Sequence, residues 1–589
     1  MSKKKKKTGR DAINRVSTNN RVSTNNRVST NNRVSTNNRV STNNRVSTRA
    51  EFKLPFEAKY LSYALLAILV LLVIFIRLKL DGIPMERDEG IYAYGGRMIL
   101  DGKVPYLDFY EQKFPGLFYA YAGIMAIFGR TLEGIHHGFT FLNVMTVLML
   151  FFIGRRLFDD FAGLIIAATF ALVSLTPYAS GFTRQSEHII AFFATAAILL
   201  MLKALDTNKL LWFTLAGIMA CLSLCVKTNG VFYIILLGLS MVIYYISMKP
   251  ISWKKLLLNV GTYSAAVFVT FALMCLIMAA QGAFGEMWYF AVEFPRTYVS
   301  AIPFDVGMGF LKKFGGNVIG GYLPFWIAAV GGIFFLFFTK ENLHKKIWMP
   351  VWAVFAFLTV TPGLRFYGHY WLMLMPVLAI LVGATFYTLQ SLLSGRGKML
   401  TILVPALLFG AIFIQNIASH SSYYFYPDYK NILRNTYGMN PFPESKVIGD
   451  KLKERAQPDD KILLFGSEPQ LYIYTGMDAP NRHAYFTHLV SDATKTRANE
   501  WQKEYIDNLN KEKPRFIVIF QNQVSLGVKP NANRSVFDFI GNYLNNGYQK
   551  IGNVDILGRG NTLYNWDLQQ VQTYKPRSSS FIDVFELKR

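Results

Sequence analysis

Eleven runs of apolar residues constrain this chain more than any other feature. They lie at about 60–79, 137–154, 161–177, 188–205, 210–226, 230–248, 256–280, 318–338, 347–361, 366–387 and 399–417. About twenty apolar residues suffice to cross the hydrocarbon core of a bilayer as a helix. The sequence therefore predicts a polytopic α-helical membrane protein with about eleven spans. The run 114–128 is shorter and opens on Pro115-Gly116, so it is expected to lie at the interface or re-enter. Charge tests this register. With the N-terminus inside, the inside loops carry Arg155 and Arg156, Lys209, Lys249 with Lys254 and Lys255, Lys340 with Lys345 and Lys346, and Arg396 with Lys398. Every one is basic, as cytoplasmic loops are. If 114–128 spanned, these clusters would fall outside.

The formal charge of +25 would suit a nucleic-acid binder, but its placement in the N-terminal tail and the inside loops explains it without one. Residues 1–50 hold Lys3 to Lys7 and five full copies of Arg-Val-Ser-Thr-Asn-Asn from Arg15. One valine per repeat cannot build a core, so a disordered basic tail is expected, with at most weak attraction to anionic lipid. Residues 51–417 form the membrane domain, with 80–136 its first outer loop. Residues 418–589 read as a small α/β domain on the outer face. Its apolar runs at 461–466 and 515–520 suit buried strands, and helical patterns lie near 444–456, 496–511 and 535–546. The turn Gly466-Ser467-Glu468-Pro469 reads as a plain turn and helix cap or as a ligand-facing loop. Cys221, Cys225 and Cys275 lie in apolar segments and suggest neither a disulfide framework nor a metal site.

The polar residues beside the spans gather on the outer face. Asp88, Glu89, Glu111 and Lys113 come from the first loop, and Arg184 and Glu187 from the second. Lys227 ends a span, Glu293 and Arg296 lie in a long loop, and Arg365, His369 and Tyr370 open the tenth span. Singly, each has a structural explanation: a snorkelling cation, a first-turn acid, a core histidine. Jointly they suit transfer from a lipid-linked phosphate. That chemistry needs cations on the departing phosphate and a carboxylate to take the proton of the incoming hydroxyl. Lys113, Arg184, Lys227 and Arg365 are the candidate cations; Asp88, Glu111 and Glu187 are the candidate carboxylates. Glu89, His369, Tyr370 and Arg296 are candidates for support. Asp88 follows the first span closely and is the preferred base, although it could instead cap a helix over 89–100.

The motifs Asp88-Glu89-Gly90, Gly102-Lys-Val-Pro-Tyr106 and Glu111-Gln-Lys-Phe-Pro-Gly116 resemble those of the integral-membrane GT-C glycosyltransferases. The likeness is to the protein O-mannosyltransferase-like and lipid A aminoarabinose transferase-like group. Ser180-Gly-Phe-Thr-Arg-Gln-Ser-Glu187, Leu222-Ser-Leu-Cys-Val-Lys-Thr228 and Arg365-Phe-Tyr-Gly-His-Tyr370 extend the resemblance down the chain. Gln112 separates Glu111 from Lys113, and Asp108 and Glu111 both remain candidates for the family's acidic position. The resemblance implies a polyprenyl-phosphate sugar as donor, a lipid, glycan or protein acceptor on the outer face, and inversion at the sugar. The loop charges predict a multi-pass protein of the plasma (inner) membrane with a cytoplasmic N-terminus. No resident cofactor is expected, a divalent metal stays open, and no nucleic acid is a partner. The competing readings are a transporter or flippase for lipid-linked glycans and a ligase that transfers whole glycans.

Overall fold

The computed structural model describes residues 56–299 and 302–588. The repeat-bearing tail lies outside the described residues. Residues Pro55–Arg589 pack as one compact unit.

The chain is a multi-pass helical membrane protein, and all eleven expected segments are helical. Among the described residues, seven helices are long and apolar enough to cross a membrane: Tyr60–Lys79, Leu132–Leu157, Ser186–Thr207, Thr228–Ser247, Trp253–Ala280, Met375–Leu393 and Lys398–Ser419. An eighth crossing requires counting the pair Phe304–Gly321 and Leu323–Phe338, which meet at 97°. The count differs from eleven for local reasons. The break follows Gly320-Gly321 and precedes Pro324, a sequence that interrupts one helix and starts another. The helix Asp160–Val173 stops short because the chain turns into an irregular outer loop at Ser174. Its 14 residues rise about 21 Å, less than the roughly 30 Å of hydrocarbon. Leu210–Val226 and Gly116–Phe128 are likewise short. The tenth run is unwound at its start: Gly368–Met373 is a 3-10 turn, and the regular helix begins at Met375 with Pro376 in its first turn.

Beyond Ser419 a five-stranded sheet forms, with order β1-β2-β5-β3-β4. β1 (Ile462–Phe465) pairs parallel with β2 (Phe516–Gln521), and both are almost wholly buried. The connection between them includes Gln470–Thr475 and Ala498–Lys511. The antiparallel half, β3 (Tyr548–Ile556), β4 (Thr562–Asn565) and β5 (Phe581–Leu587), was not read from the sequence.

The first outer loop joins the two regions. Its helix Arg87–Leu100 is polar in sequence, yet Glu89 to Met98 are all buried. Gly90 allows this: a Cβ there would come within 2.3 Å of the Gln470 nitrogen. Around that contact, Arg97 donates to the carbonyls of Tyr472 at 2.6 Å and Met477 at 2.8 Å, and Tyr474 Oη accepts from the Met85 N–H at 2.7 Å. Arg87 donates to the Ser467 carbonyl at 2.7 Å and pairs with the fully buried Glu468 at 3.0 Å. The turn Gly466–Pro469 is thus a clamp on the first loop.

Candidate active site

A cavity of about 1650 Å³ opens between one end of the membrane helices and the C-terminal sheet region. Asp88, Lys113, Lys227, Arg365, His369 and Tyr370 line it. Glu89, Glu111, Arg184, Glu187 and Arg296 do not line it.

The two rival carboxylates stand behind the lysines. Glu111 is 2% exposed, and its Oε1 lies 3.0 Å from Lys113 Nζ. Its Oε2 lies 3.2 Å from His488 Nε2 of the C-terminal region. Burial alone would raise the Glu111 carboxyl, but Lys113 and His488 outweigh it and hold the group at about 2. Glu187 is fully buried, with Lys227 Nζ 2.5 Å from its Oε1 and Ser186 Oγ donating at 3.0 Å to its Oε2. The Lys227 ammonium also sits 4.1 Å from the Tyr370 ring centroid. Lys227 occupies the extended link between Leu210–Val226 and the next helix. Gly116, one turn beyond Lys113, packs so closely on the end of Leu210–Val226 that a Cβ would meet the Cys225 carbonyl at 2.5 Å.

Asp88 has a different environment. It does not cap its helix. Glu86 does: its Oε1 accepts from the Glu89 N–H at 2.8 Å, and Glu89 Oε2 accepts from the Glu86 N–H at 2.9 Å. This reciprocal box satisfies two orphan helix donors at once and leaves the Asp88 side chain to the cavity. Among the described residues, no side chain hydrogen-bonds or ion-pairs with the Asp88 carboxylate. Burial, then Asp88 and Glu89, push Glu86 well above the ordinary carboxyl range. Burial lifts Glu89 to about 7 against the pull of Arg184.

Arg184 departs from its expected phosphate role. It is 1% exposed, its N–H donates to Glu89, and its guanidinium lies 3.2 Å from Asp81 Oδ1. With Gln185, which donates to Glu86 at 2.5 Å, it stitches the second outer loop to the capping box. Arg296 is exposed away from the cavity lining. Arg365 lines it, donates to Tyr367 Oη at 3.3 Å, and is flanked by Leu364 and Phe366 at φ +51° and +47°. Left-handed backbone at such residues costs about 1–2 kcal/mol each, and such strain gathers at functional sites.

The C-terminal region adds residues that carried no sequence signal. Tyr485, Thr487, His488 and Ser491 line the cavity from the loop before Ala498–Lys511. Lys313, from the helix pair that replaces the expected straight span, joins them. Among the described residues, no group of three or more His, Cys, Asp or Glu is placed to hold a metal ion.

Residues 112–280, under a third of the chain, match the family model described as dolichyl-phosphate-mannose-protein mannosyltransferase. No curated protein matches the chain. Among solved structures, ArnT from Cupriavidus metallidurans in the apo state is 14% identical, with a TM-score of 0.51 over 78% of this chain and 93% of that one. An Archaeoglobus fulgidus oligosaccharyltransferase tethered to an acceptor peptide is 13% identical, with a TM-score of 0.50 over 87% and 75%. These likenesses are of fold. Together with the matched segment, they define the fold class of the membrane region, that of the integral-membrane GT-C glycosyltransferases. Within that class, the segment that matches the mannosyltransferase family begins at Gln112, beside Lys113.

The pair at Glu111 has a measurable signature. A carboxyl held below its ordinary 4.5 stabilises the fold fully above about pH 4.5, and that contribution is lost as pH falls through about 2. Thermal unfolding of Glu111→Gln in detergent should therefore show a deficit against wild type at neutral pH that shrinks below pH 4.5. A deficit constant across that range would contradict the pairing.

Proposed function

We propose that this protein transfers a sugar from a polyprenyl-phosphate donor to an acceptor on the outer face of the membrane, by single displacement with Asp88 as general base. The observation that carries the reading is the contrast among the carboxylates. Glu111 and Glu187 are each held by a lysine, whereas Asp88 faces the cavity without a hydrogen-bond or ion-pair partner among the described residues. The matched family is described by a dolichyl-phosphate-linked mannose donor, which supports a donor of this chemical type.

In this mechanism the donor's lipid tail stays in the bilayer and its phosphate lies against Lys113, Lys227 and Arg365. The acceptor hydroxyl oxygen attacks the anomeric carbon, and its proton passes to Asp88. The bond from that carbon to the phosphate oxygen breaks, and the phosphate keeps the electron pair. Its growing charge is met by cations already in place, in a site partly shielded from water. Attack opposite the leaving group inverts the anomeric centre. Glu111 and Glu187 hold the lysines at the cavity wall, and Tyr370 packs against Lys227. Arg184 and Glu89 support the loop that carries Asp88. Acceptors remain a lipid, a glycan or a protein.

The basic loops favour an orientation with the N-terminus in the cytoplasm and the C-terminal region outside the plasma membrane. In a background without the three native cysteines, Lys503→Cys should react with an impermeant thiol reagent added to intact cells, and Ser394→Cys should not. Both positions are exposed; the reverse pattern would overturn the orientation.

Asp88→Asn should leave donor binding in place and reduce turnover by on the order of 100-fold or more, the usual scale of a lost general base. Near-normal turnover in the folded variant would remove Asp88 from the role.

A further inference from the structure

We infer that His488, from the C-terminal region, is a positioning residue for the donor-phosphate site and sets Lys113 through Glu111. The inference rests on the proposal that Lys113 contacts the donor phosphate. Lysine is a point charge on a flexible four-carbon stem, so the place of its ammonium depends on what holds it. Here that is Glu111 Oε1, 3.0 Å away, with the lysine side chain 13% exposed at the cavity wall.

A carboxylate gripped by one oxygen still turns about its last torsion, which is broad and roughly two-fold. The second oxygen fixes the plane. Glu111 Oε2 lies 3.2 Å from His488 Nε2, so the two oxygens face partners from different parts of the chain. His488 is itself held. It is 3% exposed, and its ring lies 5.3 Å from Tyr110, 5.2 Å from Phe294 and 5.1 Å from Tyr485, centroid to centroid. Tyr110, next to Glu111, stacks on Phe290 at 4.2 Å and shares a hydrogen bond of 2.6 Å with His483 Nδ1.

The first loop and the C-terminal region therefore meet at one carboxylate, and Phe290 and Phe294 of a third segment pack on Tyr110 and His488 beside it. A site whose lysine needed only local support would not require His488. Support of this kind from surrounding side chains is what holds a functional group in its working geometry. Glu111 Oε2 makes no hydrogen bond among the described residues, so the 3.2 Å approach of His488 is what faces that buried oxygen, and its loss leaves the oxygen uncompensated. Glu111 is then free to rotate, and both its oxygens can draw Lys113 back from the cavity.

The test is binding of undecaprenyl phosphate to the full-length protein in detergent. His488→Phe keeps an aromatic ring in the pocket and removes the nitrogen that faces Glu111 Oε2. His488→Gln keeps a polar nitrogen near the Nε2 position. His488→Phe should weaken binding by roughly ten-fold, equivalent to one charge-assisted contact, and His488→Gln should recover most of the loss. In a Lys113→Ala background, His488→Phe should have little further effect, because the two act as a unit. Should His488→Phe fail to fold, His488→Asn, one bond too short, takes its place.

Wild-type binding by His488→Phe alongside weakened binding by Lys113→Ala overturns this inference alone. So does an equal loss from His488→Phe in both backgrounds, which marks a merely structural role. Wild-type binding by Lys113→Ala overturns the phosphate assignment itself, and this inference with it.

Discussion

An ionised side chain taken out of water costs several kcal/mol unless a partner of opposite charge and good geometry goes with it. The cavity face of this protein is arranged around that constraint. Lys113 and Lys227, the lysines beside the unwound ends of the helices, each have a buried carboxylate behind them, Glu111 and Glu187. Each pair is close to neutral as a unit but polar in direction, with the ammonium on the cavity side. In the proposed reaction, a phosphate arriving in the cavity would meet positive charge that is already desolvated and already oriented. Such preorganisation lets an electrostatic contact act without reorganisation at the moment of reaction. In the proposed mechanism the same pairing keeps Glu111 and Glu187 at their lysines, and Asp88, left to the cavity by the capping box of Glu86 and Glu89, takes the proton.

These pairs would have no fixed position without the first outer loop. Its helix Arg87–Leu100 is packed between the membrane helices and the C-terminal region, against Gln470 on one side and the second outer loop on the other. Arg87 and Arg97 bind carbonyls and acids of the C-terminal region, and Arg184 and Gln185 bind the capping box from within the membrane domain. The C-terminal region is therefore a wall of the cavity, continuous with the loop that carries the proposed chemistry.

Much of this was legible from the chain alone, for identifiable reasons. Hydrophobic length places the main apolar helices of the membrane domain because bilayer thickness acts on short segments. Asp88, Lys113, Lys227 and Arg365 stand out because charge beside a span is rare and expensive. What could not be read depends on contacts between distant segments. Arg184 and Lys227 look alike in sequence; only packing turns one towards Asp81 and the other towards the cavity. The preference for aspartate at helix N-caps favours Asp88, but the reciprocal bonds of Glu86 and Glu89 prevail. The Gly320-Gly321 break bends an apolar run that looks continuous by composition. His488 and Tyr485 sit in a loop with no periodicity and no motif, so nothing local marks them.

In the proposed reaction the cavity breaks the bond between a sugar and a polyprenyl phosphate. Incubation of the purified protein with a panel of polyprenyl-phosphate sugars, following free polyprenyl phosphate, reads that step. At least one such donor should release polyprenyl phosphate in proportion to enzyme. No release from any of the common donors, together with movement of lipid-linked glycan across vesicles containing the protein, would contradict it and identify a transporter instead.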